Sequence, residues 1–162
     1  CDTVVQRSLH HMYESELGGK LLAMAEEPSI YHEVKAYLGI LPEEPYFNAG
    51  VMLVDLARWR DEEIGKQLLA YYTEIAPHCL FQDQDAINGL LRGRIAALHP
   101  KYNFITNYYY FSYAALEVFS PAYRAIGERR FRTAKRSPAI VHYAGMRDRG
   151  GRGPITPTAA PM

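Results

Sequence analysis

The feature that most restricts the fold of this chain is a nearly continuous apolar run from Tyr46 to Leu56. Asn48 and Gly50 interrupt it near its start, and Asp55 is its first charged residue. A strand that is apolar on both faces is typical of a parallel or mixed sheet with helices packed on both sides. The run therefore predicts a central strand covered on both faces, and the 162 residues of the chain suffice for one domain around it.

Shorter segments on either side of this run predict strands and helices in alternation. Apolar or β-branched runs predict strands at 3–5, 21–25, 95–97 and 139–143, and helical spacing predicts helices at 8–13, 29–38, 64–75, 85–91 and 121–130. The strand at 3–5 is expected to be buried, Asp61 is expected to cap the helix at 64–75, and the tyrosine-rich segment 102–113 is expected to be a loop. The alternation predicts an α/β fold with a mixed sheet flanked by helices.

Charge and cysteine content exclude several classes of protein. Eighteen Lys and Arg residues balance eighteen Asp and Glu residues, so no overall positive field attracts nucleic acid. Cys1 and Cys79 form neither a zinc-binding pair nor a disulfide framework, which is typical of a reducing compartment. No apolar run approaches the roughly 18 residues of a membrane-spanning helix. These features predict a cytoplasmic globular protein.

The two ends of the chain differ from its middle. The chain begins without Met, inside what looks like a strand, and we expect it to be a fragment of a longer protein. After Gly145 the composition shifts to Arg, Gly, Pro and Thr, which supplies too little apolar surface to offset the entropy of ordering. We therefore expect a domain over 1–145 and a disordered tail over 146–162.

Asn48 is unusual because it lies inside an apolar run. A buried amide without a partner costs about 1–3 kcal/mol, so Asn48 must be bonded. Either a neighbouring loop or a polar ligand lying across the strand would satisfy it. Ala49 and Gly50 follow it and leave room for a ligand or another backbone to approach closely.

A second polar group lies at the predicted helix at 85–91, where Asp83, Gln84 and Asp85 are consecutive. The acids can cap the helix and interact with its positive end. On an extended segment the three side chains would alternate, with Gln84 facing away from both acids. That arrangement would suit a site where an amide carbonyl lies beside ions, and both alternatives remain open at this point.

For the other polar and aromatic residues, spacing along the sequence does not by itself predict a functional site. Asp2 and His142 are separated by nearly the whole chain, and only the fold can bring them together. The tyrosines Tyr108 to Tyr110 suit core packing and also stacking on sugar rings. A basic run is either a solvated helix end or a weak contact for anionic lipid at the inner membrane; its residues are Arg129, Arg130, Arg132, Lys135 and Arg136.

Four segments in order resemble glycosyltransferase family 8, whose bacterial members include galactosyl- and glucosyltransferases of lipopolysaccharide synthesis. Residues 1–6 look like the second half of the family's Asp-x-Asp motif, and 46–56 with Trp59 look like its Phe-Asn-[Ala/Ser]-Gly strand. Residues 81–88 resemble its Asp-Gln-Asp-x-x-Asn segment, and 142–145 its closing His-[Phe/Tyr]-x-Gly. Each motif is weak alone, but the ordered set is specific and spans residues 1 to about 145.

The resemblance implies a GT-A fold, retention at the anomeric carbon and a UDP-hexose donor. It implies that Asp2 and His142 are two of three protein ligands to manganese or magnesium, a cation that stabilises the departing diphosphate. Asn48 and Asp83 would hold the donor sugar or the acceptor hydroxyl. Gln84 would lie near the anomeric carbon, opposite the leaving group, and the family is argued to retain configuration either through a covalent species or by same-face attack.

The remaining site residues also follow from the resemblance. Asp85 joins the catalytic segment, Ala49 and Gly50 join the substrate-binding strand, and Glu27 stands where the family usually has a sugar-contacting Asp. The family continues after its last motif with Lys-Pro-Trp, whose lysine meets the diphosphate, whereas this chain has Arg147 nearby. Because the motifs begin inside Asp-x-Asp, the uridine-binding half and the first metal Asp would precede Cys1, and this piece alone is expected to be inactive.

The resemblance therefore predicts that the protein is a metal-dependent glycosyltransferase. It would transfer glucose or galactose from a UDP-sugar to a hydroxyl of a saccharide or glycolipid, and it would have no nucleic acid partner. One alternative is a non-catalytic module that binds saccharide or protein, with the acidic residues only capping helices. Another is a metal-dependent phosphohydrolase that uses Asp83 and Asp85. The last requires both carboxylates on one ion, whereas the resemblance gives the ion to Asp2 and His142.

Overall fold

The computed structural model describes residues 2–144, in which two small mixed sheets are packed with helices. The predicted α/β fold is therefore confirmed. The strands, in chain order, are β1 (Thr3–Val5), β2 (Leu22–Glu26), β3 (Phe47–Val54), β4 (Ile95–Ala97), β5 (Phe104–Ile105) and β6 (Ile140–His142). The helices are α1 (His10–Tyr13), α2 (His32–Tyr37), α3 (Leu56–Asp61), α4 (Ile64–Ile75), α5 (Asp83–Leu90), α6 (Tyr113–Phe119) and α7 (Glu128–Arg136).

The first sheet has the strand order β3-β2-β4, so β2 and not β3 is its central strand. β2 pairs antiparallel with β3 and parallel with β4, and all five of its residues are buried. The sequence predicted a central strand at 46–56, covered on both faces. In the part of the chain that the structure describes this prediction is wrong. β3 lies at the edge, and Met52 is 38% exposed, because only β2 pairs with it there.

The second sheet has the order β1-β6-β5 and brings the start of the chain beside its last described strand. β1 pairs antiparallel with β6, with Thr3 opposite His142. The prediction that β1 is buried is wrong: Val4 and Val5 are 46% and 58% exposed, because β1 is an edge strand paired only with β6 in the described residues. The pairing nevertheless places Asp2 at the end of β6.

A bulge in β3 shapes the region where the two sheets meet. The register moves from Met24 opposite Met52 to Ala25 opposite Asn48, so residues 49–51 fall outside the paired register. Bulges of this kind bend a strand and re-aim its side chains, and they are frequent beside functional sites. Here the bulge turns the Ala49–Gly50 backbone toward α5 and β6.

Several predicted helices differ in detail from the observed ones. Asp61 ends α3 and does not cap α4, whose N-cap is Glu63 in a left-handed conformation; the N-cap of α3 is Asp55, which accepts a bond from Arg58 N. The helix predicted at 121–130 is wrong, because Gly127 at φ 77° separates a short 3-10 segment from α7. The basic run therefore lies on α7 itself.

The tyrosine-rich segment 102–113 is more regular than the loop that was predicted. It contains β5 and the 3-10 segment Thr106–Tyr109, and α6 begins at its end. Tyr108 is fully buried and its hydroxyl donates to the carbonyl of Glu26 at 3.3 Å, so core packing is its main role. No helix within residues 2–144 combines the length and apolarity that crossing a bilayer requires. The predicted tail 146–162 lies outside the described residues.

Candidate functional site

A cavity of about 860 Å³ opens where β3, β6, the start of α5 and the segment between β5 and α6 meet. Its polar wall contains Glu27, Asn48, Asp83, Gln84 and His142, which are five of the nine residues proposed from the sequence. Ala49 and Gly50 also line it. The fold thus gathers seven of the nine at one cavity, and only Asp2 and Asp85 are outside its lining.

Asn48 has protein partners for both ends of its amide. Its Nδ2 donates to Glu27 Oε2 at 2.6 Å, and its Oδ1 accepts from Gly50 N at 2.9 Å and from Asn103 Nδ2 at 2.8 Å. Ser29 donates to the other Glu27 oxygen at 3.2 Å. The buried amide is therefore bonded within the protein, and it holds the half-buried Glu27 carboxylate at the cavity wall.

Asp2 and His142 come together although the chain separates them by almost its full described length. His142 Nε2 lies 3.4 Å from Asp2 Oδ1, which is longer than an ordinary N–H···O hydrogen bond. His142 is buried, whereas the Asp2 side chain is 61% exposed. The other ring nitrogen, Nδ1, lies 2.8 Å from Asn103 Oδ1, so the ring is fixed from behind and presents Nε2 to Asp2.

The helical conformation of α5 separates the roles of its first three residues. The extended arrangement considered for 83–85 is wrong, because these residues form the first turn of α5. Asp83 is exposed and lines the cavity, whereas Gln84 and Asp85 are buried. Gln84 lines the cavity too, but its Oε1 accepts from Ala49 N at 3.0 Å and its Nε2 donates to the Tyr46 hydroxyl at 3.3 Å.

Asp85 is bonded entirely within the protein. Its Oδ1 accepts from the Tyr46 hydroxyl at 2.6 Å, and its Oδ2 accepts from Leu80 N and Phe81 N at 2.9 and 2.8 Å. Burial, and then the bond to Asp85, raise the pKa of Tyr46 far above its usual range. Asp85 therefore fastens the loop before α5 to the start of β3, which is a positioning role.

Asn88, the last residue of the same sequence motif, joins α5 to the edge strand. Its side chain accepts from Phe47 N at 2.7 Å and donates to Phe47 O at 2.8 Å, and it also donates to Gln84 O. The amide thus bonds both backbone groups of a β3 residue, as a neighbouring strand would. Asp85 and Asn88 thus join the start of α5 to β3, whereas Asp83 and Gln84 of the same motif line the cavity.

Sequence reasoning missed Asn103, which is fully buried and bonds both Asn48 and His142. It lies between Tyr102 and Phe104, so it is a lone amide in an apolar segment. That is the same signal that singled out Asn48. Reasoning from sequence also missed the aromatic side of the cavity, which Phe111 and Phe119 form.

The donor groups at Asp2 and His142 fit part of a divalent cation site. A carboxylate and an imidazole nitrogen suit manganese, and a hydrogen bond to the second ring nitrogen is the usual support for a metal-binding histidine. Among residues 2–144, no three His, Cys, Asp or Glu side chains are grouped closely enough to hold a metal ion. Asp2 and His142 are thus a pair of suitable donor groups, and within the described residues they do not form a complete metal site.

Gly50 allows the His142 ring to approach the bulge. A Cβ at this position would overlap the ring, at 2.6 Å from Nδ1, and would lie 2.9 Å from Asn48 Oδ1. We expect Gly50→Ala to displace His142 and to lower the free energy of unfolding by about 1–3 kcal/mol, as overpacking does. Denaturant unfolding measures this change, and the cost should shrink in a His142→Ala background.

Gly65→Ala is the matched control, because this exposed glycine of α4 has its nearest neighbour, Trp59, at 3.9 Å from an added Cβ. We expect it to leave stability unchanged or to raise it by up to about 1 kcal/mol through helix propensity. Equal effects of Gly50→Ala and Gly65→Ala would contradict the close approach of His142.

Comparisons of this chain with family models, with known protein sequences and with solved structures agree on one protein family. The sequence model of glycosyl transferase family 8 matches residues 1–147. General stress protein A of Bacillus subtilis (strain 168) is 25% identical over 147 residues, which are 90% of this chain and 49% of that protein. Lipopolysaccharide 1,2-glucosyltransferase of Escherichia coli (strain K12) is 28% identical over 107 residues, which are 64% of this chain and 31% of that protein.

A solved structure agrees with these sequence relatives. The galactosyltransferase LgtC in complex with donor and acceptor sugar analogues superimposes with a TM-score of 0.69 at 26% identity, over 89% of this chain and 50% of that chain. The chain thus spans about half the length of General stress protein A and of LgtC. The α/β arrangement is that of the GT-A fold, and the chain belongs to glycosyltransferase family 8.

Proposed function

We propose that this chain forms the sugar-side half of a metal-dependent, retaining hexosyltransferase that uses a UDP-sugar donor. The hexose, glucose or galactose, is transferred to the hydroxyl of a saccharide or glycolipid acceptor. One observation carries the proposal: His142 lines the cavity together with the amides and carboxylates of its wall, and the fold brings Asp2 to 3.4 Å from His142 at the edge of that lining. Residues 1–145 would be part of a larger catalytic domain, and this piece alone would be inactive.

The chemistry of the cavity wall suits a sugar rather than a phosphate. Among the described residues that line it, Glu27, Glu33 and Asp83 are acidic and none is Lys or Arg. Carboxylates and amides accept and donate bonds to hydroxyl groups, and aromatic rings such as Phe111 and Phe119 cover apolar sugar faces. A diphosphate would instead need positive charge, which a cation at Asp2 and His142 would provide.

Each residue has a role in this proposal. The Asp2 carboxylate and His142 Nε2 would hold manganese or magnesium, which supplies Lewis-acid stabilisation of the departing UDP when it is bound. Asn48 and the Glu27 carboxylate it holds would bind sugar hydroxyls, and the exposed Asp83 would bind the donor sugar or the acceptor hydroxyl. Gln84 would lie near the anomeric carbon, with its amide oriented by Ala49 N and Tyr46.

The two alternative functions, a phosphohydrolase and a non-catalytic saccharide-binding module, are supported to different degrees by the residues at the cavity. A phosphohydrolase centred on Asp83 and Asp85 would need both carboxylates on an ion, but both Asp85 oxygens already accept bonds from protein groups. A non-catalytic saccharide-binding module is compatible with the aromatic wall at Phe111 and Phe119. Such a module has no need for a cation or for UDP release, so a single assay distinguishes it from a transferase.

The test measures UDP release from a panel of UDP-hexoses by the intact protein, with and without manganese. We expect turnover to require manganese, and Asp2→Ala and His142→Ala each to lower kcat/KM about 100-fold or more, since each removes charge stabilisation of the leaving group. Asp61→Ala and His11→Ala are matched controls, because both side chains are exposed and neither lines the cavity. Turnover without manganese, or full activity of the two site variants, would overturn the metal assignment.

The basic helix supports a further part of this proposal, a weak peripheral contact with the inner membrane in the cytoplasm. Arg129, Arg130 and Arg136 are exposed on α7. The other two basic residues are partly engaged: Arg132 pairs with Glu128 at 2.7 Å, and Lys135 donates to Phe111 O at 3.1 Å. Arg147, the alternative to the family's diphosphate-binding lysine, lies outside the described residues.

A further inference from the structure

The amide of Asn103 connects Asn48 on β3 with His142 on β6, and it is completely buried between them. The three residues form one continuous line of hydrogen bonds that begins at Gly50 N and ends at the His142 ring. Buried polar groups of this kind are costly unless every donor meets an acceptor. The positions of the hydrogens along the line can therefore be worked out from one fixed end.

The fixed end is Gly50 N, because a backbone N–H can only donate. The Asn48 atom 2.9 Å from it must therefore be the carbonyl oxygen. The Asn103 atom 2.8 Å from that oxygen must then be the donating nitrogen, Nδ2. This places the Asn103 carbonyl oxygen at the other end of its amide, where it faces His142 Nδ1 at 2.8 Å.

A carbonyl oxygen can only accept, so His142 Nδ1 must carry a proton. We propose that Asn103 is a positioning residue that fixes the neutral His142 ring as its Nδ1–H tautomer, the form in which Nε2, on the side that faces Asp2, has no proton. The assignment of the tautomer rests on the hydrogen-bond line alone, and its use in catalysis rests on the proposed function.

This tautomer has a direct consequence for ligand binding at Nε2. A neutral imidazole binds a cation through the nitrogen that has no proton, and a bond at the other nitrogen holds the ring at the required angle. The Gly50 bulge, Asn48 and Asn103 would thus prepare His142 before any cation arrives. The same line continues from Asn48 Nδ2 to Glu27 Oε2, so Glu27 of the cavity wall and His142 are held by one set of bonds.

The test is the 15N spectrum of the imidazole nitrogens in the metal-free intact protein, recorded above the ordinary pKa of histidine. His142→Ala identifies the signals. We expect Nδ1 of the parent to be of the protonated type and Nε2 of the unprotonated type. Asn103→Ala should abolish this preference, whereas Asn103→Asp, which keeps an acceptor facing Nδ1, should retain the proton there. An Nε2–H tautomer in the parent would overturn the proposal without any variant.

Asn88→Ala is the matched control, because Asn88 is also a buried asparagine with backbone partners but is not bonded to Asn103 or His142. It should lose stability and keep the His142 tautomer. An unchanged tautomer in a folded Asn103→Ala protein would also overturn the proposal. If Asn103→Ala does not fold, the spectra of the parent and of Asn103→Asp still show which ring nitrogen of His142 carries the proton.

Manganese binding, measured by electron paramagnetic resonance, gives a second readout. We expect Asn103→Ala to weaken it about 10- to 100-fold, as loss of a residue that supports a metal ligand does, and Asn88→Ala to leave it unchanged. Equal weakening by both variants would contradict a specific role for Asn103. A parent that binds no manganese at His142 would overturn the metal part of the proposed function, while the spectra would still decide the tautomer.

Discussion

Replacing Asp85 with alanine should lower the free energy of unfolding by about 3–5 kcal/mol, the largest effect we expect from a single substitution. The change leaves the Tyr46 hydroxyl and the backbone N–H groups of Leu80 and Phe81 without their acceptor. Asp85 is 1% exposed, so water cannot replace the lost bonds without opening the structure. Denaturant unfolding followed by circular dichroism measures the loss.

Asp83→Ala is the matched control, because Asp83 is an exposed carboxylate on the same helical turn as the buried Asp85. We expect Asp83→Ala to change stability by less than about 1 kcal/mol, the size of its interaction with the helix end. It should instead impair turnover in the intact protein, since Asp83 lines the cavity. The reverse pattern, with a stable Asp85→Ala protein that is inactive, would show that Asp85 is catalytic rather than positioning.

The second large effect is a pH dependence of stability that originates in Glu26. Burial raises the pKa of this carboxyl to about 7 from 4.5, although a bond from Ser120 and the nearby Lys35 oppose the rise. Below about pH 4.5 the carboxyl is protonated in both states, and between 4.5 and 7 only the unfolded chain releases the proton. The contribution of Glu26 to the free energy of unfolding should therefore fall as pH rises through this window, by about 3 kcal/mol in total. Burial lowers the pKa of His99 from 6.5 to about 4, so His99 makes a contribution of opposite sign over nearly the same range, and the Glu26 contribution is read as a difference between parent and variant.

Glu26→Gln should remove the Glu26 contribution, because the amide has no proton to lose, so the stability of the parent relative to this variant should fall as pH rises from about 4.5 to 7. Unfolding midpoints recorded across the same pH range test the expectation, with the exposed Glu16→Gln as control. A stability difference between the parent and Glu26→Gln that stays constant between about pH 4.5 and pH 7 would contradict the burial of a neutral carboxyl here. Functionally, Glu26 matters because Ser120 and Tyr108 bond it, and their segment carries Phe111 and Phe119 of the cavity wall.

The strands and most helices could be predicted from local patterns because their residues interact with near neighbours along the chain. The stripe from Ile64 to Ile75 predicted α4 within its observed bounds, and the β-branched and apolar runs predicted every strand but the two-residue β5. The position of a strand within a sheet depends instead on partners far along the chain. The apolar run at 46–56 could therefore predict a strand but not that β3 lies at an edge.

The residues of the candidate site divide in the same way. Four ordered motifs in the sequence suggested eight of the nine site residues, and Glu27 was added because the family usually has an Asp at its position. A lone amide in an apolar run correctly indicated that Asn48 must be bonded. Sequence spacing could not distinguish Asp83, which lines the cavity, from Asp85, which fastens a loop. That distinction depends on which side of α5 packs against β3.

The sequence by itself thus determined the fold class, five of the six strands within residues 2–144, and most of the polar residues at the cavity. Only the tertiary structure decided that Asp2 meets His142, that Asn103 joins His142 to Asn48, and that Gly50 makes room for the ring. The physical reason is that secondary structure follows from side chains a few residues apart. Hydrogen bonds between strands and loops distant in sequence exist only after the sheets and α5 have packed together.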